Sequence, residues 1–180
     1  MMLRTARLRL RRWQPADLEP FAALNADPEV MRYFPALRDR AESLASMERI
    51  EADFDARGFG GWALDLPGTG FIGFCGLMVP RFAAHFTPCV EIGWRLARAH
   101  WGRGYATEAA RAALADGFGR VGLREVVAFT SAANLPSRRV MERAGMVRDL
   151  AGDFEHPAEP PGHPLQPFVL YRVSAPPAPG

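Results

Sequence analysis

The fold is decided between Val90 and Leu114, where the chain reads VEIGWRLARAHWGRGYATEAARAAL. Its first residues are typical of a strand, and alanines at helical spacing follow Gly104. Gly102 and Gly104 carry no side chain where the backbone turns and where it could approach a ligand closely. The first N–H groups of a helix lack partners inside the helix, and the helix dipole favours an anion beside them. The segment therefore predicts a binding site for a phosphate or pyrophosphate group.

Two other phosphate-binding turns fit this segment poorly. A P-loop requires Lys followed by Ser or Thr, but Tyr105 and Ala106 stand there and the chain contains no Lys. A dinucleotide-binding turn requires a third glycine in a parallel sheet, but Thr107 occupies that position after a run of antiparallel strands. An ordinary strand–helix turn without a ligand also stays open for the motif taken alone.

Apolar periodicity and turn residues on either side predict the remaining elements. We expect strands over 3–12, 59–66, 70–79, 89–96, 125–130, 146–154 and 165–173, and helices over 15–25, 28–33, 39–56, 105–118 and 136–143. The strands between 59 and 96 are joined by short links, which favours antiparallel pairing. No linker or repeat divides the chain, so one domain over 1–173 is predicted, followed by a Pro-rich disordered tail over 174–180.

Composition narrows the class of protein. Hydrophobic residues make up 48% and charged residues 23% of the 180 positions, which is ordinary for a globular domain. No apolar run approaches the ~20 residues of a membrane span, and the N-terminus, which alternates Arg with apolar residues, is unlike a signal peptide. With a net charge of only +2, we expect a protein that binds neither membranes nor nucleic acid. Because two cysteines are too few for a disulfide framework, a reduced cytoplasmic setting is expected.

The sequence predicts no metal site. Cys75 and Cys89 match neither a disulfide framework nor a metal-ligand spacing, and buried free thiols are the expected state. His156 and His163 are each followed by Pro, which favours loops over a pair of ligands.

A second block strengthens the phosphate-site hypothesis. After the helix and a strand, the chain reads NLPSRRVMERAGM from Asn134 to Met146. Together with WGRGYA, this block resembles the GCN5-related N-acetyltransferase (GNAT) superfamily, in which the pattern R/Q-x-x-G-x-G/A binds the pyrophosphate of acetyl-CoA. Trp101 stands at the R/Q position, Gly104 at the first Gly and Ala106 at the last. The Trp departs from the family pattern and removes one cationic contact.

Further blocks resemble one branch of that superfamily. The opening TARLRLRRWQPADLEPFAALNADPEVMRYF, which begins at Thr5, and the closing DFEHP, GHPL and VLYR, which end at Arg172, are similar to ribosomal-protein N-terminal acetyltransferases (RimJ/RimL-like). The resemblance implies an α/β (α+β) GNAT fold. Its mixed, mostly antiparallel seven-stranded sheet would carry helices on both faces, and two central strands would splay apart.

The resemblance also implies an activity. It predicts an acetyl-CoA-dependent N-acetyltransferase that moves the acetyl group from the thioester to a primary amine by direct attack in a ternary complex. The acceptor would be a protein N-terminal α-amine or a small-molecule amine, and the enzyme a monomer or homodimer. Acetyl-CoA would be held by the strand at Trp94, Arg95 and Leu96, by the amides of Arg103, Gly104, Tyr105, Ala106 and Thr107, and by Asn134 and Ser137.

Two residues are candidates for proton transfer. Strand alternation places Glu91 with Gly93 and Arg95 on one face, and Glu91 is predicted as general base; pairing with Arg95 or another arginine is the alternative. Many GNAT enzymes use a Tyr as the acid, but Met141 stands at that position. The resembling branch assigns this role to Ser137, which could instead be an ordinary first-turn helix residue. The missing Tyr keeps a second function open, a non-catalytic acyl-CoA-binding or sensor module.

Overall fold

The computed structural model describes residues 1–177, which form one mixed sheet of eight strands with four α-helices. In chain order the elements are β1 (Met2–Arg4), β2 (Arg9–Arg11), α1 (Leu18–Ala26), α2 (Arg40–Arg57), β3 (Gly61–Leu66), β4 (Gly70–Met78), β5 (Glu91–Leu96), α3 (Tyr105–Asp116), β6 (Glu125–Ser131), α4 (Leu135–Arg143), β7 (Val147–Glu155) and β8 (Pro167–Ser174). The strand order is β1-β2-β3-β4-β5-β6-β8-β7. Neighbouring strands are antiparallel except for β5 and β6, which are parallel. The predicted fold class is thereby confirmed.

Helices cover both faces of this sheet, as the resemblance implies. Ala63 of β3 lies in a buried cluster with Phe21 of α1 and Met47 of α2. Its neighbour Leu64 lies in the larger core cluster with Leu114 of α3. Because successive side chains of a strand point to opposite faces, α1 and α2 pack on one face and α3 on the other.

Helix α2 forms one wall of the cleft described below, and strong local signals set its ends. The Asp39 carboxylate accepts from the amide of Glu42 at 2.8 Å, and the Glu42 carboxylate accepts from the amide of Asp39 at 2.9 Å. This reciprocal capping box starts the helix. Gly58 ends it with φ of 77°, a left-handed conformation that glycine adopts without steric cost. Both ends agree with the predicted span of 39–56 to within one residue.

The first predicted strand, over 3–12, is two strands in the structure. A turn separates β1 from β2, in which the amide of Thr5 donates to the carbonyl of Leu8 at 3.0 Å and the amide of Leu8 donates to the Thr5 hydroxyl at 2.9 Å. The regular alternation of Arg with Leu covers only residues 7–11, after the turn, and the predicted strand extends back to residue 3 across Thr5 and Ala6, where the alternation is interrupted. The sheet therefore has eight strands instead of the predicted seven.

The short helix predicted over 28–33 is wrong. The Asp27 carboxylate accepts from the amide of Glu29 at 2.8 Å, and the amide of Met31 donates to the carbonyl of Asp27 at 3.0 Å. This is the hydrogen bonding of one capped turn, and turns and bends follow it. Pro35 lies too close behind to allow a longer helix.

The predicted tail, over 174–180, lies partly outside the described residues, since 178–180 are not among them. Ser174 is the last residue of β8, and the amide of Ala175 donates to the carbonyl of Arg124 at 2.8 Å. Among residues 1–177, no helix is long and apolar enough to cross a membrane.

Candidate active site

The site is a gap between the two parallel central strands. Strands β5 and β6 are in register only where Glu91 lies opposite Val127, and the amide of Val127 donates to the carbonyl of Val90 at 2.9 Å. Beyond this point the strands diverge, as the resemblance implies, and a cleft of about 770 Å³ opens along them. Strand edges inside a protein need hydrogen-bond partners, so the gap suits an extended ligand that carries amides of its own.

The backbone of β5 faces this gap at alternate residues. Successive residues of a strand direct their backbone groups to opposite neighbours. The carbonyl of Val90 faces β6, so the backbone groups of Trp94 and Leu96 face the gap as well. The carbonyl of Leu96 already accepts from the indole N–H of Trp101 at 2.8 Å. Trp101, which departs from the GNAT pattern, therefore holds the turn against the end of the strand.

Arg95 is placed differently from Trp94 and Leu96. It lies opposite Phe74 of β4, and its backbone faces that strand. Its side chain is 8% exposed and donates from Nη1 to Oδ1 of Asn25 at 2.6 Å. Trp94, Arg95 and Leu96 are all predicted to hold the cosubstrate. Arg95 differs from the other two because only its side chain, and not its backbone, faces the cleft.

The turn before α3 presents a row of backbone N–H groups. Gly104 is the N-cap of α3 with φ of 80°, and Gly102 has φ of 72°, which side-chain-bearing residues rarely adopt. The first bond of the helix runs from the amide of Glu108 to the carbonyl of Gly104 at 3.0 Å. Within residues 1–177, the backbone amides of 103–107 donate to no protein acceptor. Five consecutive donors at a helix N-terminus fit a pyrophosphate group.

Glu91 lies at the narrow end of the gap. It pairs with Met78 of β4, and its side chain lines the cleft. Burial raises the pKa of this carboxyl group to about 8. Among the described residues, no arginine lies within ion-pair distance of it. The alternative in which Glu91 pairs with Arg95 is therefore not what the structure shows.

Asn134 and Ser137 lie on the opposite side of the cleft, at the start of α4. Asn134 is the N-cap of this helix; its Oδ1 accepts from the amide of Ser137 at 3.3 Å, and its Nδ2 donates to the Thr130 hydroxyl at 2.9 Å. The Ser137 side chain lines the cleft and makes no hydrogen bond with the part of the chain described. Met141, at the position of the usual Tyr, is 2% exposed and belongs to the core.

Sequence reasoning missed some residues of the cleft. On one wall, Arg38 and Arg49 join Arg95; no motif distinguishes them in a chain whose 22 basic residues are all Arg. Outside the cleft, Arg7 donates from Nη1 to the carbonyl of Arg103 at 2.9 Å and so fixes the glycine turn from the N-terminal strands. These contacts join residues that are distant in sequence, and local patterns carry no signal of them.

Comparisons with known proteins agree with this geometry. A family model described as acetyltransferase (GNAT) domain matches residues 7–147. The chain is 37% identical over 144 residues to the uncharacterized protein YkkB of Bacillus subtilis, a match that covers 79% of this chain and 83% of that protein. It is 32% identical over 167 residues to FsC-acetyl coenzyme A-N(2)-transacetylase of Aspergillus fumigatus, a match that covers 89% of this chain and 71% of that protein.

Solved structures show the same fold. The acetyltransferase of Agrobacterium tumefaciens superposes with a TM-score of 0.77 at 31% identity, over 96% of this chain and 94% of that one. RimL, a ribosomal L7/L12 α-N-protein acetyltransferase solved with coenzyme A, superposes with a TM-score of 0.77 at 13% identity, over 97% and 98%, which shows a shared fold. The resemblance found in the sequence is confirmed: the chain belongs to the GNAT acetyltransferase family, whose members move an acetyl group from acetyl-CoA to an amine.

Proposed function

We propose that this enzyme acetylates a primary amine, by direct attack of the amine on the thioester within a ternary complex. The observation that carries the proposal is the Glu91 carboxyl group, which lines the cleft where β5 and β6 part and has no ion-pair partner in the described chain. A base at that point can reach an amine that enters from the α1 and α2 face. The open gap beside it leaves room for a thioester and an amine together.

The proposed binding of acetyl-CoA uses backbone groups. The pyrophosphate would accept from the amides of 103–107, which have no other acceptor in the described protein. The pantetheine arm would lie along the exposed backbone of Trp94 and Leu96, with Asn134 at its side. Because Asn134 already caps α4 and donates to Thr130, its contribution would come from the second lone pair of its oxygen or from its second N–H.

The proposed reaction moves two protons. The amine nitrogen forms a bond to the thioester carbonyl carbon, the C–S bond breaks, and its electron pair stays on sulfur. The proton lost by the amine goes to the Glu91 carboxylate, and Ser137 gives a proton to the thiolate and regains one from water. A thiol pKa near 8.5 makes the thiolate a good leaving group without much help, so the contribution of Ser137 is small.

The fraction of amine that is neutral favours an α-amine over a lysine side chain as acceptor. An α-amine has a pKa of about 7.7–8.0 and a lysine about 10.4, so at pH 7 roughly one-tenth of the former and well under one-thousandth of the latter can attack. Burial raises the pKa of the Glu91 carboxyl group towards this pH range, where a general base is most effective. We therefore propose a peptide N-terminus or a small α-amine as the acceptor. One relative is named an N(2)-transacetylase, which is compatible with this class.

The test is release of coenzyme A thiol from acetyl-CoA in the presence of peptides and small amines. Turnover above the hydrolysis rate, with initial-rate lines that intersect when both substrates are varied, is expected for a ternary complex. Parallel lines would contradict direct transfer. Tight binding of acetyl-CoA without turnover of any amine would instead favour the non-catalytic sensor module.

A further inference from the structure

Three guanidinium groups converge on the cleft wall that α1 and α2 cover. Arg38 precedes α2, Arg49 lies within it, and Arg95 reaches the same region from β5; all three line the cleft. Arg38 Nη1 and Arg49 Nη2 donate to the same atom, Oγ of Ser46, at 3.2 and 2.8 Å. Two positive charges thus share one neutral acceptor.

The charges of this cluster are not balanced by the described chain. No carboxylate of residues 1–177 lies within 4.0 Å of a guanidinium nitrogen of Arg38, Arg49 or Arg95. Two further arginines of this cleft each lie beside a carboxylate. A guanidinium nitrogen of Arg32 lies 3.8 Å from a carboxylate oxygen of Glu29, and one of Arg81 lies 3.8 Å from a carboxylate oxygen of Asp53. Arg95 is buried and Arg38 is half-buried, whereas Arg49 is exposed. Like charges grouped where two of the three have limited access to water are costly unless an anion joins them.

Arg95 carries the clearest sign of a missing partner. Its side chain is 8% exposed, and its Nε is buried without a hydrogen-bond acceptor in the described protein. Its guanidinium lies 4.1 Å from the centre of the Phe34 ring. Burial, together with the charge of Arg38, lowers the pKa of Arg95 to about 9. A buried N–H without an acceptor lowers stability, and an acceptor supplied by a ligand would remove that cost.

The cluster is separate from the site proposed for pyrophosphate. Arg95 shares a face of β5 with Glu91, whereas Ile92 and Leu96, on the other face, pack in the cluster that contains α3. Glu91 and Arg95 are four residues apart on one strand, about 13 Å along it. The cluster therefore lies on the same wall as the proposed base. The distance between them would allow one acceptor molecule to place its amine at Glu91 and a second group at the cluster.

Resting on the acetyl transfer proposed above, we infer that Arg38, Arg49 and Arg95 bind a carboxylate of the acceptor. Guanidinium groups present paired donors that match a carboxylate. The substrate class is then an amine with a carboxylate several bonds away, such as a short peptide with a free C-terminus. A polycation such as a polyamine would be repelled by the same cluster.

A series of matched acceptors tests this inference. Glycine, diglycine, triglycine and tetraglycine are compared with their C-terminal amides and with spermidine, and kcat/KM is measured by thiol release. For at least one length the free acid is expected to exceed its amide by about tenfold or more, because hydrogen bonds to charged groups are the strong ones. Equal rates for acids and amides, or a preference for spermidine, would overturn the inference while leaving acetyl transfer in place.

Substitution of single arginines shows whether this cluster causes the preference for free acids over amides. In Arg38→Gln the ratio of acid to amide is expected to fall towards one, mainly through KM. Arg81→Gln is the matched control because Arg81 lines the same cleft but faces Asp53, and it should keep the ratio. If the ratio survives in Arg38→Gln and Arg49→Gln alike, the cluster does not bind the acceptor.

A measurement without turnover completes the test. With coenzyme A saturating and ionic strength fixed, triglycine should raise the Tm of the native chain and triglycinamide should not. Arg38→Gln should lose this response and, without ligand, unfold at an equal or higher Tm, because it removes repulsion between like charges. An unresponsive native chain, or a lower Tm for the unliganded variant, would show a purely structural cluster. If no amine is acetylated, the proposed function fails. The Tm measurement does not depend on turnover, so it still decides whether the cluster binds carboxylates.

Discussion

Arg7 and Glu108, 101 positions apart in the chain, join the N-terminal strands to the first turn of α3. Arg7 donates to Glu108 from its amide at 2.8 Å and from Nε at 2.7 Å, and its Nη2 lies 2.6 Å from Oε2. The Thr5 hydroxyl donates to the same carboxylate at 2.6 Å. Since Arg7 also donates to the carbonyl of Arg103, one carboxylate organises the residues that hold the glycine turn in place.

Glu108→Gln is therefore expected to weaken binding of coenzyme A several-fold, although Glu108 need not touch it. The pKa of Glu108 is lowered, because hydrogen bonds from Thr5 and Arg7 outweigh the desolvation that would raise it. Its stabilising effect is present above the ordinary carboxyl range and disappears as pH falls through the lowered pKa. At pH 7 the variant should lose about 1 kcal/mol, a modest value because the Arg7 side chain is 46% exposed and its charge is screened by solvent.

Calorimetry of coenzyme A binding and urea unfolding would measure the two effects. Asp116→Asn is the matched control, since Asp116 pairs with Arg120 at the other end of α3. Similar loss of affinity in both variants would show that the helix, and not its link to Arg7, matters for binding.

Gly104→Ala is expected to lower affinity for coenzyme A by about tenfold or more. With φ of 80°, an alanine would be strained by about 1 kcal/mol, and its methyl group would lie 3.4 Å from Nη2 of Arg7, which holds the turn. Gly122→Ala provides the control, because Gly122 has φ of 77°, open space around it, and a position just after the helical turn 117–121 that follows α3. Both variants should lose similar stability, and only the first should lose affinity; equal affinities would place the pyrophosphate elsewhere.

The pH dependence of the rate tests Glu91 as the base. With an aromatic amine that stays neutral through the range, kcat/KM should rise with pH and level off above about 8, where the carboxyl group is ionised. Glu91→Gln should be flat with pH and about 100-fold slower at pH 9. Glu91→Asp should keep the rise at a lower rate. Profiles of the same shape in the native enzyme and Glu91→Gln would exclude the role.

The same group predicts a change in stability with pH. Because the folded pKa of about 8 exceeds the unfolded value near 4.3, the folded state binds the proton more tightly. Stability should therefore fall as pH rises from about 4 to 8 and then remain level. Glu91→Gln removes this fall, so at pH 9 it should be more stable than the native chain, with no difference at pH 4. Urea unfolding at both values is the measurement.

Ser137→Ala is expected to lower kcat about three- to tenfold without a loss of stability, because the hydroxyl makes no hydrogen bond with the described protein. The N-cap hydrogen bond of α4 involves only the backbone amide of Ser137 and the side chain of Asn134. Ser137→Thr should restore most of the rate by returning a hydroxyl group. A full rate in Ser137→Ala would assign thiolate protonation to water.

The elements around the site were predictable because their signals are local. Gly104 and the alanines after it define a helix start within a few residues, and Asp39, Glu42 and Gly58 bound α2 in the same way. Strand alternation correctly placed Glu91 and Arg95 on one face. In each case the information lies in the neighbouring residues and needs no knowledge of the fold.

The rest could not be predicted because it depends on which distant residues meet. Leu8 and Leu10 alternate with arginines only after the turn at Thr5, and Thr5 and Ala6 are not typical turn residues, so the sequence predicts one strand where there are two. Arg38 and Arg95 are 57 positions apart in the numbering, and only the packing of α2 against the sheet brings them together. In a chain where every basic residue is Arg, residue type adds no distinction.

The lone register pair between β5 and β6 has a consequence for how long the protein survives. On either side of it the sheet consists of two parts, β1 to β5 and β6 to β8, joined across the middle chiefly by Val127 and Val90. A cosubstrate that bridges them would contribute about 2.7 kcal/mol of stability at a hundred times its Kd. Amide exchange and protease cleavage near this seam would then slow as acetyl-CoA accumulates, so the metabolic supply of acetyl groups would set the lifetime of the enzyme that consumes them.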